Sequence, residues 1–201
     1  MNTNICQGDS FLVGTTYYNT TGTHVTVIPK TYCDSVVTLN LTVDPTPSAA
    51  VAGPDQILCN TTSFTMAATA PATGTGAWSI VSGTATITTP SSPTTTITGV
   101  AAGTSVTLRW TVSSGVCPVN TDDVTIQHDE LPVATAGPDQ TLCNTSSFTM
   151  AANTPSAGTG AWSIVTGTAA ITTPSSPTTT VTGVAAGSSV TLRWTVSNGV
   201  C

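Results

Sequence analysis

Apolar and polar residues alternate strictly through Val106-Thr-Leu-Arg-Trp-Thr-Val112, and again through Val190-Thr-Leu-Arg-Trp-Thr-Val196. A period of two belongs to a strand with one buried face, so Val106, Leu108, Trp110 and Val112 are expected to point inward together. Shorter alternating runs precede this stretch. Phe64, Met66 and Ala68 share one face, Trp78 and Ile80 share the next, and Ile87, Ile97 and Val100 follow on brief strands separated by Pro90, Pro93 and the glycines at 83, 99 and 103. A last strand is predicted at Val124-Thr-Ile126. About seven short strands at this spacing predict an all-β, two-sheet sandwich.

The pattern occurs twice. Residues 52 to 117 and 136 to 201 align at a constant shift of 84, with about 55 of 66 positions identical, so the two stretches are expected to share one fold. The second copy has no counterpart of residues 118 to 129 and lacks its last strand, which leaves Val190 to Val196 with an open edge; the expectation is that these residues are a window of a longer repeating polypeptide, the alternative being a strand supplied by a neighbouring molecule. Residues 1 to 44 differ from both copies. Phe11-Leu-Val13, Tyr17-Tyr18, His24 to Ile28 and Val36 to Val43 read as short strands of a small β unit. Asp44-Pro-Thr-Pro-Ser48 is a stiff linker, and Asp129-Glu-Leu-Pro132 hands over to the second copy. The expected organisation is a small disulfide-stapled unit at 1–44 and tandem sandwiches at 45–132 and 133–201.

Composition narrows the function. Only 6% of residues are charged and the net charge is -6, with Lys30, Arg109 and Arg193 as the sole Lys or Arg residues. A chain with so few cations cannot neutralise a phosphate backbone, which excludes nucleic acid as a partner. No apolar run reaches the length of a bilayer span, and Met1 to Gln7 has no basic leader character.

Six cysteines stand at 6, 33, 59, 117, 143 and 201, and 117 minus 59 equals 201 minus 143, each giving 58. The pairing that respects the repeat and keeps each unit self-contained is Cys6–Cys33, Cys59–Cys117 and Cys143–Cys201. Zinc ligation is the competing use of cysteine, but there is no C-x-x-C pair and there are two histidines. Disulfides imply an oxidising, extracellular compartment.

Ala52-Gly-Pro-Asp-Gln56, Cys59, Gly76-Ala-Trp-Ser-Ile80, Thr98-Gly-Val100, Leu108-Arg-Trp-Thr-Val112 and Gly115-Val-Cys117 together resemble the PKD-like, immunoglobulin-like repeats of very large Bacteroidetes surface proteins. Residues 1 to 44, through Ile5 to Gly14 and Cys33 to Val43, resemble a second short repeat of the same proteins. The resemblance implies secretion, commonly by the type IX route with a sorting domain at the far C-terminus, and service in an adhesin stalk, gliding-motility-type surface protein or filament. The sorting domain is not in this sequence. No catalytic residues and no cofactor come with the resemblance.

Candidate chemistry is sparse. Catalysis needs a nucleophile, a base and an orienting group within reach of one another, and the long repeats offer no such set, so the chain is read as non-enzymatic. Asp122, Asp123, Asp129 and Glu130, with Asp139 beyond them, gather hard oxygen ligands that could hold calcium; the alternative is a solvated turn and linker. Trp78, Trp110, Trp162 and Trp194 lie in phase with apolar neighbours and are expected in the core, though exposed they would suit a carbohydrate-binding or spacer module of a secreted enzyme. Asn19, Asn40, Asn60 and Asn144 each begin an N-x-[ST] triplet, and Asp34-Ser-Val36 resembles the Bacteroidetes O-glycosylation motif, which would place sugar on Ser35. Partners expected from the pattern are neighbouring repeats or identical protomers, assembled head to tail by donation of a strand such as Val36 to Val43, and surface glycans.

Overall fold

The computed structural model describes residues 1–143 and 145–201, and it is all-β, with no helix among the described residues. Two compact units make up the chain. The first comprises Met1–Gln56, Thr62–Val100 and Val106–Ile126, and the second Ile57–Thr61, Ala101–Ser105 and Gln127–Cys201. The N-terminal 44 residues thus share a unit with most of the first long repeat.

Five strands build the N-terminal part: β1 (Asn2–Cys6), β2 (Phe11–Val13), β3 (Thr16–Tyr18), β4 (Gly22–Ile28) and β5 (Ser35–Asp44). β2 and β3 form a hairpin, while β5 lies between β1, which is parallel to it, and β4, which is antiparallel. The alternation in β5 holds: Leu39 and Leu41 are buried with Ile5 and Val13, flanked by Val37 and Val43, and Val36 faces solvent. Both backbone edges of β5 are bonded, so Val36 to Val43 is not the free donor strand that its pattern suggested.

The first long repeat contributes β6 (Gln56–Cys59), β7 (Ser63–Thr65), β8 (Thr75–Ser82), β9 (Thr86–Ile87), β10 (Thr96–Thr98), β11 (Thr104–Ser113) and β12 (Asn120–Asp129). They form two sheets, in the orders β7-β10-β9 and β6-β12-β11-β8. Phe64 and Ile97 from one sheet and Trp78, Leu108, Trp110, Val124 and Ile126 from the other share a single buried core, which is the expected sandwich. Trp110 is directly opposite Trp78 across the β8–β11 ladder, with ring centroids 5.2 Å apart in a tilted arrangement. Ile80 corrects the alternation reading. It lies opposite the fully buried Leu108 but is 40% exposed, because β8 is the edge strand of its sheet.

The second long repeat contributes β13 (Ser147–Thr149), β14 (Thr159–Thr166), β15 (Ala170–Ile171), β16 (Thr180–Thr182) and β17 (Thr191–Ser197). Its sheets are β13-β16-β15 and a two-stranded β14-β17. The tryptophan pair recurs, Trp162 opposite Trp194 at 5.3 Å.

The tryptophan pair explains a glycine in each copy. Gly76 and Gly160 sit where a Cβ would run into the indole of Trp110 and Trp194 respectively. Gly76→Ala is therefore expected to displace Trp110 and to destabilise the fold by about 1–3 kcal/mol. Urea denaturation followed by tryptophan fluorescence measures this, and a midpoint equal to that of the parent chain would contradict the packing.

Candidate functional site

Two aspartates end the last strands of successive repeats, Asp44 on β5 and Asp129 on β12. The N-terminal part and the first long repeat each bring their first strand alongside their last one in parallel. In the N-terminal part the β1–β5 register sets Cys6 directly against Asp44. In the first long repeat the Ala52 N–H donates to Asp122 Oδ2 at 2.8 Å and the Thr125 N–H donates to Asp55 Oδ1 at 2.8 Å, both across 70 residues of sequence. Continued by the same step, that register carries Cys59 to the Asp129 end of β12. A cysteine and an aspartate are thereby placed together where one repeat ends.

A turn from the following repeat meets each pair. In the turn Gly115-Val-Cys117 the Cys117 N–H donates to Ser114 O at 3.0 Å, and Gly115 adopts φ +50°. The Val116 N–H donates to Asp44 Oδ2 at 3.0 Å, and Asn4 Nδ2 donates to the same oxygen at 3.3 Å. The turn Gly199-Val-Cys201 repeats this arrangement. Gly199 also has φ +50°, the Cys201 N–H donates to Asn198 O at 2.7 Å, and the Val200 N–H donates to Asp129 Oδ2 at 3.3 Å. Asp129 is buried, and Gln127 Nε2 donates to its Oδ1, which supplies a further hydrogen bond that a buried carboxylate needs. At both turns a Cβ in place of glycine would collide with the aspartate, so glycine is required for close approach as well as for its backbone angle.

Covalent bonds complete the two sites. Cys6 is joined to Cys117, with Cα atoms 4.7 Å apart, and Cys59 to Cys201, with Cα atoms 5.5 Å apart. Cys33 and Cys143 are exposed free thiols. None of the expected pairs Cys6–Cys33, Cys59–Cys117 and Cys143–Cys201 is formed. The reason lies in the parallel register. It carries Cys59 toward the end of β12, whereas Cys117 precedes its beginning, and ten residues of extended strand span about 30 Å. The bonds therefore run from each repeat to the next.

The acids proposed as calcium ligands have separate occupations. Asp122 and Asp123 are adjacent on β12 and so point to opposite faces, Asp122 inward to the Ala52 N–H and Asp123 outward to Arg109. Arg109 holds the Asp123 carboxyl below its ordinary range, chiefly through the hydrogen bonds, but the pair is open to solvent and adds little to stability. Asp129 belongs to the site above, and Glu130 Oε1 accepts from Ser156 Oγ at 3.4 Å. Among the described residues no three acidic, histidine or cysteine side chains converge as metal ligands. All four tryptophans are at most 5% exposed and offer no platform for sugar. Ser35 is half-buried at the start of β5, the Asn40 side chain is bonded to Asn2 and Thr23, and Asn144 lies outside the described residues.

No protein-family model matches the sequence, and no curated protein matches it. Several solved structures are similar. The solution structure of the PKD domain from KIAA 1837 protein shares 22% identity at a TM-score of 0.36, covering 47% of this chain and 95% of that one. The structure of titin domains I67-I69 shares 10% identity at 0.45, covering 87% and 64%. The N-terminal eight immunoglobulin domains of Down Syndrome Cell Adhesion Molecule share 12% identity at 0.42, covering 86% and 30%. The chain thus spans less than two thirds of the two multidomain structures.

Two measurements check the site. Non-reducing peptide mapping is expected to recover Cys6 linked to Cys117 and Cys59 linked to Cys201, with Cys33 and Cys143 alkylated without reduction. Asp44→Ala leaves the Val116 N–H without its acceptor and is expected to cost about 0.5–1.5 kcal/mol in thermal or urea unfolding, a loss that Asp9→Ala, exposed between β1 and β2, does not produce.

Proposed function

We propose that the chain is a non-enzymatic structural module of an extracellular surface adhesin, stalk or filament, in which successive repeats are locked to one another. The observation that carries this reading is the pairing: each disulfide joins a cysteine beside the last strand of one repeat to the Gly-Val-Cys turn of the next. A bond inside a domain stabilises that domain alone, whereas bonds between repeats resist separation of the array. Closing loops of 111 and 142 residues contributes on the order of 4–5 kcal/mol each in the chain-entropy model. Persistent disulfides also fit an oxidising compartment outside the cell. Neighbouring repeats are the partners that the pairing supports.

The interlaced bonds give the reading a mechanical signature. Pulled from its ends, the oxidised chain is limited by its shortest covalent path, from Met1 through Cys6 to Cys59 and across to Cys201, about 60 residues or roughly 200 Å. The reduced chain extends over all 201 residues, to roughly 700 Å. Single-molecule force spectroscopy with and without reductant is expected to show this difference. Equal final extensions in the two conditions would overturn the locked array.

A further inference from the structure

The two joins differ in the repeat that comes before them and agree in how the turn is held. In the first, Asp44 Oδ2 accepts from the Val116 N–H at 3.0 Å and from Asn4 Nδ2 at 3.3 Å. In the second, Asp129 Oδ2 accepts from the Val200 N–H at 3.3 Å while Gln127 Nε2 donates to Asp129 Oδ1. Residues 1–44 and the first long repeat are unrelated in sequence, yet each supplies a carboxylate for the turn and a side-chain amide that fixes that carboxylate. The backbone of Asp44 is held as well, since its carbonyl accepts from the Gln7 N–H at 2.8 Å. None of these contacts requires the sulphur atoms to be joined.

Within the turn the three residues contribute unequally. A Cβ on Gly115 or Gly199 would collide with the aspartate, so that position admits glycine alone. The middle residue offers its N–H and little else, because Val116 and Val200 are 57% and 59% exposed. Cysteine comes third, and Cys117 is buried. The competition that the turn must win has a definite size. Cys33 is 27 residues from Cys6 (33 minus 6) and Cys117 is 111 away, so chain entropy alone favours Cys33 about eightfold. Pairing of β1 with β5 removes that rival, because it sets Cys6 at the Asp44 end of β5 and leaves Cys33 beyond the other end, roughly 30 Å away. It does not by itself bring Cys117 near.

We propose that each join is a recognition site for a Gly-x-Cys turn, whatever the side chain of x, and that the aspartate captures this turn before the disulfide forms and so selects the partner cysteine. The proposal rests on the locked-array reading and adds the code by which successive repeats find one another. With a low-molecular-weight disulfide such as oxidised glutathione as the oxidant, the Cys6 thiolate attacks one of its sulphurs and releases one glutathione thiolate. The Cys117 thiolate, held by the turn, then attacks the Cys6 sulphur and expels the second. The two cysteine protons end on the two glutathione thiols. Capture raises the effective concentration of Cys117 at Cys6 and leaves the thiol chemistry itself unchanged.

The test equilibrates the full reduced chain in glutathione redox buffers and reads each join separately by alkylation and non-reducing peptide mapping. Asp44→Ala is expected to lower the effective concentration of the Cys6–Cys117 bond about fivefold and to leave Cys59–Cys201 unchanged, and Asp129→Ala is expected to do the reverse. Gly115→Ala is expected to lower the first join at least as far, whereas Val116→Ser, which keeps the N–H, stays within about twofold of the parent. Asp44→Asn retains an acceptor oxygen and is expected to recover part of the loss. Equal loss at both joins in Asp44→Ala means a fold-wide effect and would overturn the proposal. So would no loss in either aspartate variant, or a Val116→Ser chain as impaired as Gly115→Ala. The reading beneath it fails by a different result: a parent chain that equilibrates to Cys6–Cys33 or Cys59–Cys117 removes the locked array and the proposal with it.

Discussion

The parallel placement of a repeat's first strand against its last is the constraint on which the rest of the structure depends. An antiparallel hairpin would return its first strand's end to the beginning of the last strand. The parallel arrangement carries it to the far end, where the next repeat starts. In the N-terminal part this sets Cys6 against Asp44, and in the first long repeat it carries Cys59 toward Asp129. Each join then has a thiol and a carboxylate ready for the Gly-Val-Cys turn of its successor, although the two preceding repeats are unrelated in sequence. What is common to the joins is geometry rather than the residues around them.

Much of the sandwich was legible in the sequence, because side-chain period reports burial directly. The alternation through Val106 to Val112 placed four residues in the core, and all four are there, at no more than 1% exposure. Ile80 shows the limit of that signal: period gives the face of a strand but not whether the strand is at an edge. The cysteines show a different limit. Their equal intervals arise because both members of each interval were shifted together by the duplication, so a rule joining neighbours satisfies the repeat as well as one joining cysteines within a copy. Telling the two apart needs the direction of the first strand, which no local pattern encodes. The acids around residues 122 to 130 were likewise read as a cluster because they are close in sequence, whereas a strand sends adjacent side chains to opposite faces.

The near-identity of the two long repeats separates what a sequence dictates from what its surroundings supply. The tryptophan pair, the small three-stranded sheet and the glycine that admits the indole are reproduced in both copies. Burial of Leu108 and half-burial of Leu192 are not properties of the identical heptapeptides that contain them. They are set by whether a strand lies on the neighbouring edge.

The interlacing of the disulfides also orders the events of biosynthesis. Cys6 must remain a thiol until residue 117 has been made and folded, and Cys59 until residue 201 has been. During that wait Cys6 has Cys33 far closer along the chain, and shorter loops close at a smaller entropic cost. Oxidation that outpaces folding therefore traps the wrong partner, and thiol–disulfide exchange is the route back. Correct maturation depends on the timing of oxidant relative to chain delivery: the cysteines encode a schedule as well as a set of bonds.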